Sequence, residues 1–264
     1  MPIRVALHLQ PQHAPLADVL DAAVAADGLG VDTIYTWDHF YPLYGDPDGA
    51  HWEGATTLTA IAARTERARI GGLVFCNSYR NPQLLADIHR TIDHLSGGRV
   101  ILGIGAGWFE RDYDEYGYDF GTAPERLRAL RRDLPLISRR LAKLTPPPVG
   151  PMPILIGGSG ERVTLRLVAE HAQMWHGFGD VETYRHKSAV LAEHCAAVGR
   201  DPDRIERVWG SQERIHEHAD GLADAGVNEL TIGIGGNGGY DLGPLRELLQ
   251  WRDDHNRSHR CDPR

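Results

Sequence analysis

The sequence predicts an α/β protein closed as a single (β/α)8 TIM barrel, and three observations predict it. Its 264 residues are near the length at which one such barrel closes. Short apolar runs alternate with amphipathic stretches almost from end to end, as repeated βα units around a parallel sheet require. The apolar runs number eight, the count that closes a barrel. An open doubly wound sheet has the same local grammar; count and length favour the barrel.

In chain order, strands are predicted at 5–9, 33–36, 70–74, 100–104, 154–156, 174–178, 205–208 and 229–234. Helix patterns cover 16–29, 56–64, 83–95, 126–141, 160–170, 183–198 and 214–225, most of them bounded by Gly, Pro or Asp. Residues 1–250 then make one barrel domain. The tail 251–264 is charged and poor in apolar residues after Trp251, and is expected to be partly disordered. Two segments interrupt the alternation. The loop from Phe40 to Glu53 follows the C-terminal end of a strand, where barrel enzymes place their chemistry. The proline run from Thr145 to Pro153 precedes a strand and reads as a stiff connector.

Composition narrows the function classes. A hydrophobic fraction of 42% supports a sizeable core without disulfides. With 28 basic against 36 acidic residues, the net charge of −8 repels nucleic acid and anionic lipid over most of the surface. Cys76, Cys195 and Cys261 are odd in number and form no C-x-x-C pair, which argues against a disulfide framework or zinc knuckle and fits a reducing cytoplasm. No apolar run reaches the length of a membrane span or a signal-peptide core.

Four stretches stand out at predicted strand ends. Trp37-Asp38-His39-Phe40 closes the second strand, and a histidine held there can exchange a proton with a ligand near neutral pH. The competing reading is a helix-capping Asp and an imidazole packed between aromatics; no local metal pattern accompanies it. The next runs from Leu73 to Pro82. Asn77 and Ser78 can bond a polar ring edge and Arg80 can meet a phosphate or carboxylate, while Asn81-Pro82 reads as an ordinary helix cap and first-turn proline. In Gly103-Ile104-Gly105-Ala106-Gly107-Trp108-Phe109-Glu110, alternate glycines would let a flat ring approach the backbone, the alternative being a glycine-rich turn with no ligand. Last, Ile156-Gly157-Gly158-Ser159-Gly160-Glu161-Arg162 joins a strand to a helix N-terminus, an arrangement that presents free N–H groups to an anion. Its spacing is not that of a Walker A loop.

Together these four stretches, in this order and spacing, resemble the luciferase-like monooxygenase superfamily, and within it the branch using the 8-hydroxy-5-deazaflavin coenzyme F420. The resemblance covers nearly the whole chain. It implies a bacterial-luciferase-like barrel with the deazaflavin across its mouth, the phosphate held by Gly157, Gly158, Ser159 and Gly160, and the ring passing Gly105 and Gly107. His39 matches the family's histidine beside the reactive ring face, with Trp37 and Asn77 beside the ring. Phe40 and Trp108 would wall the substrate pocket. A non-prolyl cis peptide is implied near Gly72 and Leu73, under the ring. The implied activity is hydride transfer between F420 and a small organic substrate in a cytoplasmic homodimer. FMN-dependent two-component monooxygenases share the fold and phosphate loop, and a non-catalytic deazaflavin-binding protein is the alternative of another class. Three departures stand out: Trp108 replaces a glutamate of the sugar-phosphate dehydrogenase branch, Gln173 replaces the usual aspartate, and shortened connections imply a more open rim. The acid partner of His39 is left unassigned.

Overall fold

The computed structural model describes residues 2–211 and 215–259. Arg214, the expected start of one helix, and residues 260–264 of the tail lie outside the described residues.

The strands are β1 (Arg4–Leu9), β2 (Thr33–Thr36), β3 (Arg69–Gly72), β4 (Phe75–Cys76), β5 (Val100–Gly105), β6 (Ile154–Gly157), β7 (Met174–Phe178), β8 (Glu206–Gly210) and β9 (Glu229–Ile234). All pairings are parallel, in the order β3-β2-β1-β9-β8-β7-β6-β5-β4, and a β3–β5 pairing closes the barrel. Nine segments fill eight positions, because β3 and β4 share one. Ile70 and Gly71 pair with Val100 and Ile101, whereas Phe75 and Cys76 pair with Ile104 and Gly105 further up the same neighbour. The predicted continuous strand 70–74 is thus cut short after Gly72, and its last bond, Leu73–Val74, is a cis peptide. Leu73 N turns to donate to Thr36 O at 2.7 Å, and the Gly72 carbonyl occupies the space where a side chain on Gly103 would lie.

Strand parity separates two cores. Ala6, Tyr35, Ile101, Leu155, Met174 and Val208 fill the barrel interior. Their neighbours Val5, Leu7, Ile34, Leu102, Ile154, Ile156 and Trp175 face outward into the layer of helices. The N-terminal end of the barrel is closed by polar groups: the buried Glu229 carboxylate accepts from Thr33 Oγ1 and Tyr35 OH, both at 2.9 Å, and from Arg69 Nη2 at 2.6 Å. Burial, then the neighbouring Glu229 carboxylate, pushes the Tyr35 phenol well above its ordinary pKa, so it remains a donor.

Helices α1 (Leu16–Leu29), α2 (Gly54–Arg64) and α3 (Pro82–Ser96) follow the first three strand positions. Asn81 caps α3 through Gln83 N and Leu84 N, with Pro82 in the first turn as the dipeptide suggests. The remaining helices are α4 (Glu110–Tyr116), α5 (Ala123–Leu141), α6 (Thr164–His171), α7 (Val181–Ala197), α8 (Ile215–Asp224) and α9 (Gly243–Ser258). Two of these, α4 and α9, are absent from the sequence expectation.

Helix α9 corrects the expected tail, since residues 251–258 continue it. Leu245, Leu248 and Leu249 are buried at helical spacing, and polar contacts carry the rest. Trp251 Nε1 donates to Asp220, Arg252 Nη1 to Asp32, and Asn256 bonds both backbone groups of Ile3. Long-range partners hold a segment whose local composition is polar.

Candidate active site

A cavity of about 1170 Å³ opens at the C-terminal ends of the strands, somewhat larger than the usual small-molecule site. Of the residues singled out by sequence, Trp37, His39, Leu73, Gly105, Gly107, Trp108 and residues Gly157 to Gly160 line it.

His39 leaves the barrel directly after β2, and its Nδ1 lies 2.7 Å from Asp112 Oδ2. Asp112 comes from α4 and is fully buried. The same carboxylate accepts from Phe40 N and Tyr41 N, each at 3.1 Å, and from Tyr79 OH at 3.0 Å. Four donors therefore converge on one side chain. With Nδ1–H spent on Asp112, the tautomer inferred from this bond puts the lone pair on Nε2, the nitrogen left for a ligand. The ring is packed edge-on by Trp37, Trp108 and Phe109 at centroid distances of 6.1, 5.8 and 5.5 Å.

Behind this pair sits a second ion cluster. Arg80 Nη1 and Nη2 bind Asp38 at 2.7 and 2.9 Å, Cys76 N donates to the same carboxylate at 3.0 Å, and Arg80 also reaches Glu53. Arg80 is thereby an internal tie between the end of β4 and the loop that follows β2, not a free cation for a ligand. Asp38 is likewise neither a cap nor solvated; burial pushes its carboxyl up while Arg80 pulls it back. The loop itself folds over the site. Trp37 Nε1 donates to His51 Nε2 at 2.8 Å, and burial lowers His51 to about 4, leaving it a neutral acceptor.

Three sequence candidates lie off the cavity wall. Asn77 is buried with Nδ2 donating to Asp133 at 2.9 Å. Gly72 packs under the Phe75 ring, and Phe40 stacks on Tyr116 and Tyr79 at 4.1 and 4.7 Å. The glycines on the wall have close neighbours within the protein. A Cβ on Gly105 or Gly157 would stand 2.7 or 2.8 Å from a Val74 methyl, and one on Gly107, where φ is +84°, would stand 2.0 Å from Tyr113 OH. Val74 thus projects between β5 and β6 onto the cavity floor. At Gly158 φ is +118°, and the chain then runs exposed to α6, which starts four residues later than expected and has no side-chain cap. In its first turn Leu165 N donates to Gly160 O at 3.0 Å, while no side chain caps the turn.

The family model of the luciferase-like monooxygenases matches residues 1–222. The chain belongs to this family. An F420-dependent glucose-6-phosphate dehydrogenase of Amycolatopsis mediterranei strain U-32 is 31% identical over 230 residues, covering 76% of this chain and 67% of the relative. One from Microbacterium testaceum strain StLB037 is 27% identical over 241 residues, covering 83% and 70%. A solved F420-dependent secondary alcohol dehydrogenase in complex with an F420-acetone adduct superposes with TM-score 0.83 at 15% identity, over 95% of this chain and 99% of that one. A coenzyme F420-dependent tetrahydromethanopterin reductase from Methanopyrus kandleri gives 0.75 at 15%, over 94% and 97%. At such identity the two structures show the fold alone.

In this member of the luciferase-like family, the sequence departures fall in different places. Gln173 lies at the closed end, where its Oε1 accepts from Ile154 N at 3.0 Å, so it ties backbone at the start of β6 and is remote from the mouth. Trp108 stands on the rim, 63% exposed, with its edge to His39. Sequence reasoning missed Asp112 altogether. It sits in a short, highly charged run in which one buried carboxylate leaves no local mark, and only the approach of α4 to the end of β2 picks it out.

Proposed function

We propose that this chain is an F420-dependent oxidoreductase acting on a small organic substrate, with His39 as the catalytic residue that exchanges the substrate proton. The observation that carries this reading is the His39–Asp112 pair at the barrel mouth, which fixes the imidazole and leaves Nε2 facing the cavity side. The names of the sequence relatives support the choice of cofactor.

The residues fit the group. Residues Gly157 to Gly160 and the uncapped start of α6 would hold its phosphate. Leu73 and Val74, raised onto the floor between Gly105 and Gly157, would support its ring. When bound, the deazaflavin supplies hydride exchange with a substrate carbon. His39 Nε2 takes or returns the substrate proton, Asp112 stabilises the imidazolium that results, and Trp37 and Trp108 keep water from the site. Asn77 and Phe40 act behind the wall in this reading, Asn77 by anchoring α5 through Asp133 and Phe40 by packing on α4. Among the described residues, no helix is long and apolar enough to cross a membrane. A homodimer in a reducing cytoplasm belongs to the same proposal, the latter on the free buried thiols of Cys76 and Cys195.

Titration of the purified protein with F420 and with FMN, followed by fluorescence quenching, tests it. Tighter binding of F420, with turnover on a panel of alcohols, aldehydes, imines and enones, is expected. Preference for FMN would favour the monooxygenase reading, and F420 binding without turnover a cofactor-binding protein.

A further inference from the structure

Strand parity determines which side chains floor the cavity. Ala6 and Met174 belong to the interior layer of the barrel, so His8 and His176, two residues further along β1 and β7, point the same way one layer nearer the mouth. In register, His8 stands between Tyr35 and Gly233 and His176 between Val208 and Gly157, so each imidazole has a glycine on one side. Both line the cavity, and both have a buried Nε2 without a hydrogen-bond partner; His176 is 3% exposed. A buried polar atom without a partner is one that a ligand can satisfy.

The charge of the wall is equally telling. Among the described residues lining the cavity there is no Lys or Arg, and the carboxylates Asp38 and Glu247 are present. The guanidinium of Arg80, which pairs with the lining residue Asp38, is taken up by Asp38 and Glu53. Burial lowers His8 to about 4, with His39 adding to the effect, and lowers His176 to about 3, with His8 adding to it. At neutral pH both rings are uncharged, each offering one N–H and one lone pair. The anion cradle at residues Gly157 to Gly160 is occupied by the cofactor phosphate in the reading above, so a second phosphate would meet no compensating Lys or Arg among the described lining residues.

We propose that His8 and His176 are the substrate-recognition pair of this site, that they hydrogen-bond the oxygens of an uncharged hydroxyl or carbonyl compound, and that the site rejects phosphorylated substrates. This rests on the oxidoreductase reading and narrows it to a substrate class different from the glucose 6-phosphate named for the sequence relatives.

The test has two stages. Quenching by F420 first establishes cofactor binding, and its failure overturns the cofactor reading by itself. Saturation-transfer NMR then compares 2-propanol, cyclohexanol, glucose and glucose 6-phosphate on the same sample with and without F420, and steady-state kinetics follows on whichever alcohol binds best. Binding of at least one uncharged alcohol is expected, with glucose 6-phosphate no better than glucose. In His8→Ala and His176→Ala, F420 affinity is expected to stay within about threefold while KM for that alcohol rises about tenfold or more, the scale of one lost hydrogen bond to a buried group. His8→Gln and His176→Asn, which restore an amide donor and acceptor, should recover most of the loss. The proposal is overturned if glucose 6-phosphate binds more tightly than all three uncharged compounds, if none of the three binds, or if both alanine variants keep KM within twofold.

Discussion

Asp112 Oδ2 receives the Nδ1–H of His39 at 2.7 Å while its other oxygen holds the backbone N–H groups of Phe40 and Tyr41. One carboxylate from α4 thereby fixes both the ring and the chain that carries it. Asp112 is a positioning residue, acting through His39, and its contribution differs from that of a merely structural acid. Asp112→Asn keeps the size but can present an amide N–H to Nδ1, which favours the opposite tautomer. Turnover is expected to fall about 100-fold or more, as is typical when a general base is lost, with F420 affinity within a few-fold. His39→Ala should do the same, and the double variant should be no worse than the poorer single one. The pH–rate profile should differ from that of the parent protein in both. A profile unchanged in Asp112→Asn would separate this carboxylate from the chemistry.

Gly107 and Gly117 make a matched pair for stability. Both have left-handed backbones, with φ of +84° and +68°, but a Cβ at Gly117 meets nothing within 4 Å whereas one at Gly107 meets Tyr113 OH at 2.0 Å and Cys76 Sγ at 2.7 Å. Gly117→Ala is expected to cost only the left-handed conformation, about 1 kcal/mol. Gly107→Ala should cost that plus overpacking, about 3 kcal/mol in all. Urea unfolding of both variants checks the difference, and equal midpoints would show that the wall around Tyr113 yields freely.

Stability should also decline on mild acidification. His89 is fully buried, with Nδ1–H donating to Leu85 O at 2.9 Å, and burial lowers it to about 4; His176 falls to about 3 for the same reason. Above pH 6.5 neither the folded nor the unfolded chain protonates these rings, and their contribution is complete. As pH falls below 6.5 the unfolded chain binds protons that the folded chain refuses until about 4 for His89 and about 3 for His176, so stability drops across that window. Each site can lose up to about 1.4 kcal/mol per pH unit. Denaturant midpoints at pH 7, 6 and 5 measure the slope, ahead of most carboxylate titration. His89→Leu should reduce the slope by one site's share, since His8, His51 and His176 still contribute, and an unchanged slope would mean that this ring is protonated in the native state.

The order of strands and helices was legible because burial on both faces of a parallel strand writes a continuous apolar run, as in Val100–Gly105, and because caps such as Asn81 act within three residues. The place of residues Gly157 to Gly160 on the cavity wall was legible because they form one contiguous motif at a strand end. Helix α9 was not, because its charged second half is held by Asp32, Asp220 and Ile3, which are distant in sequence. The break between β3 and β4 was readable only through the resemblance, since Gly72 to Val74 carries no local pattern that distinguishes it from an ordinary strand.

By itself the sequence determined the barrel, its mouth, His39 and the loop from Gly157 to Gly160, all consequences of periodicity, composition and contiguous motifs. Tertiary structure alone decided that Asp112 holds His39, that Arg80 is consumed by Asp38 and Glu53, that Asn77 and Phe40 stand behind the wall, and that His8 and His176 line the cavity. The physical reason is the same in each case. Hydrogen bonds and charge pairing depend on distances of about 3 Å between side chains, and closure of the barrel sets those distances between residues that lie far apart along the chain.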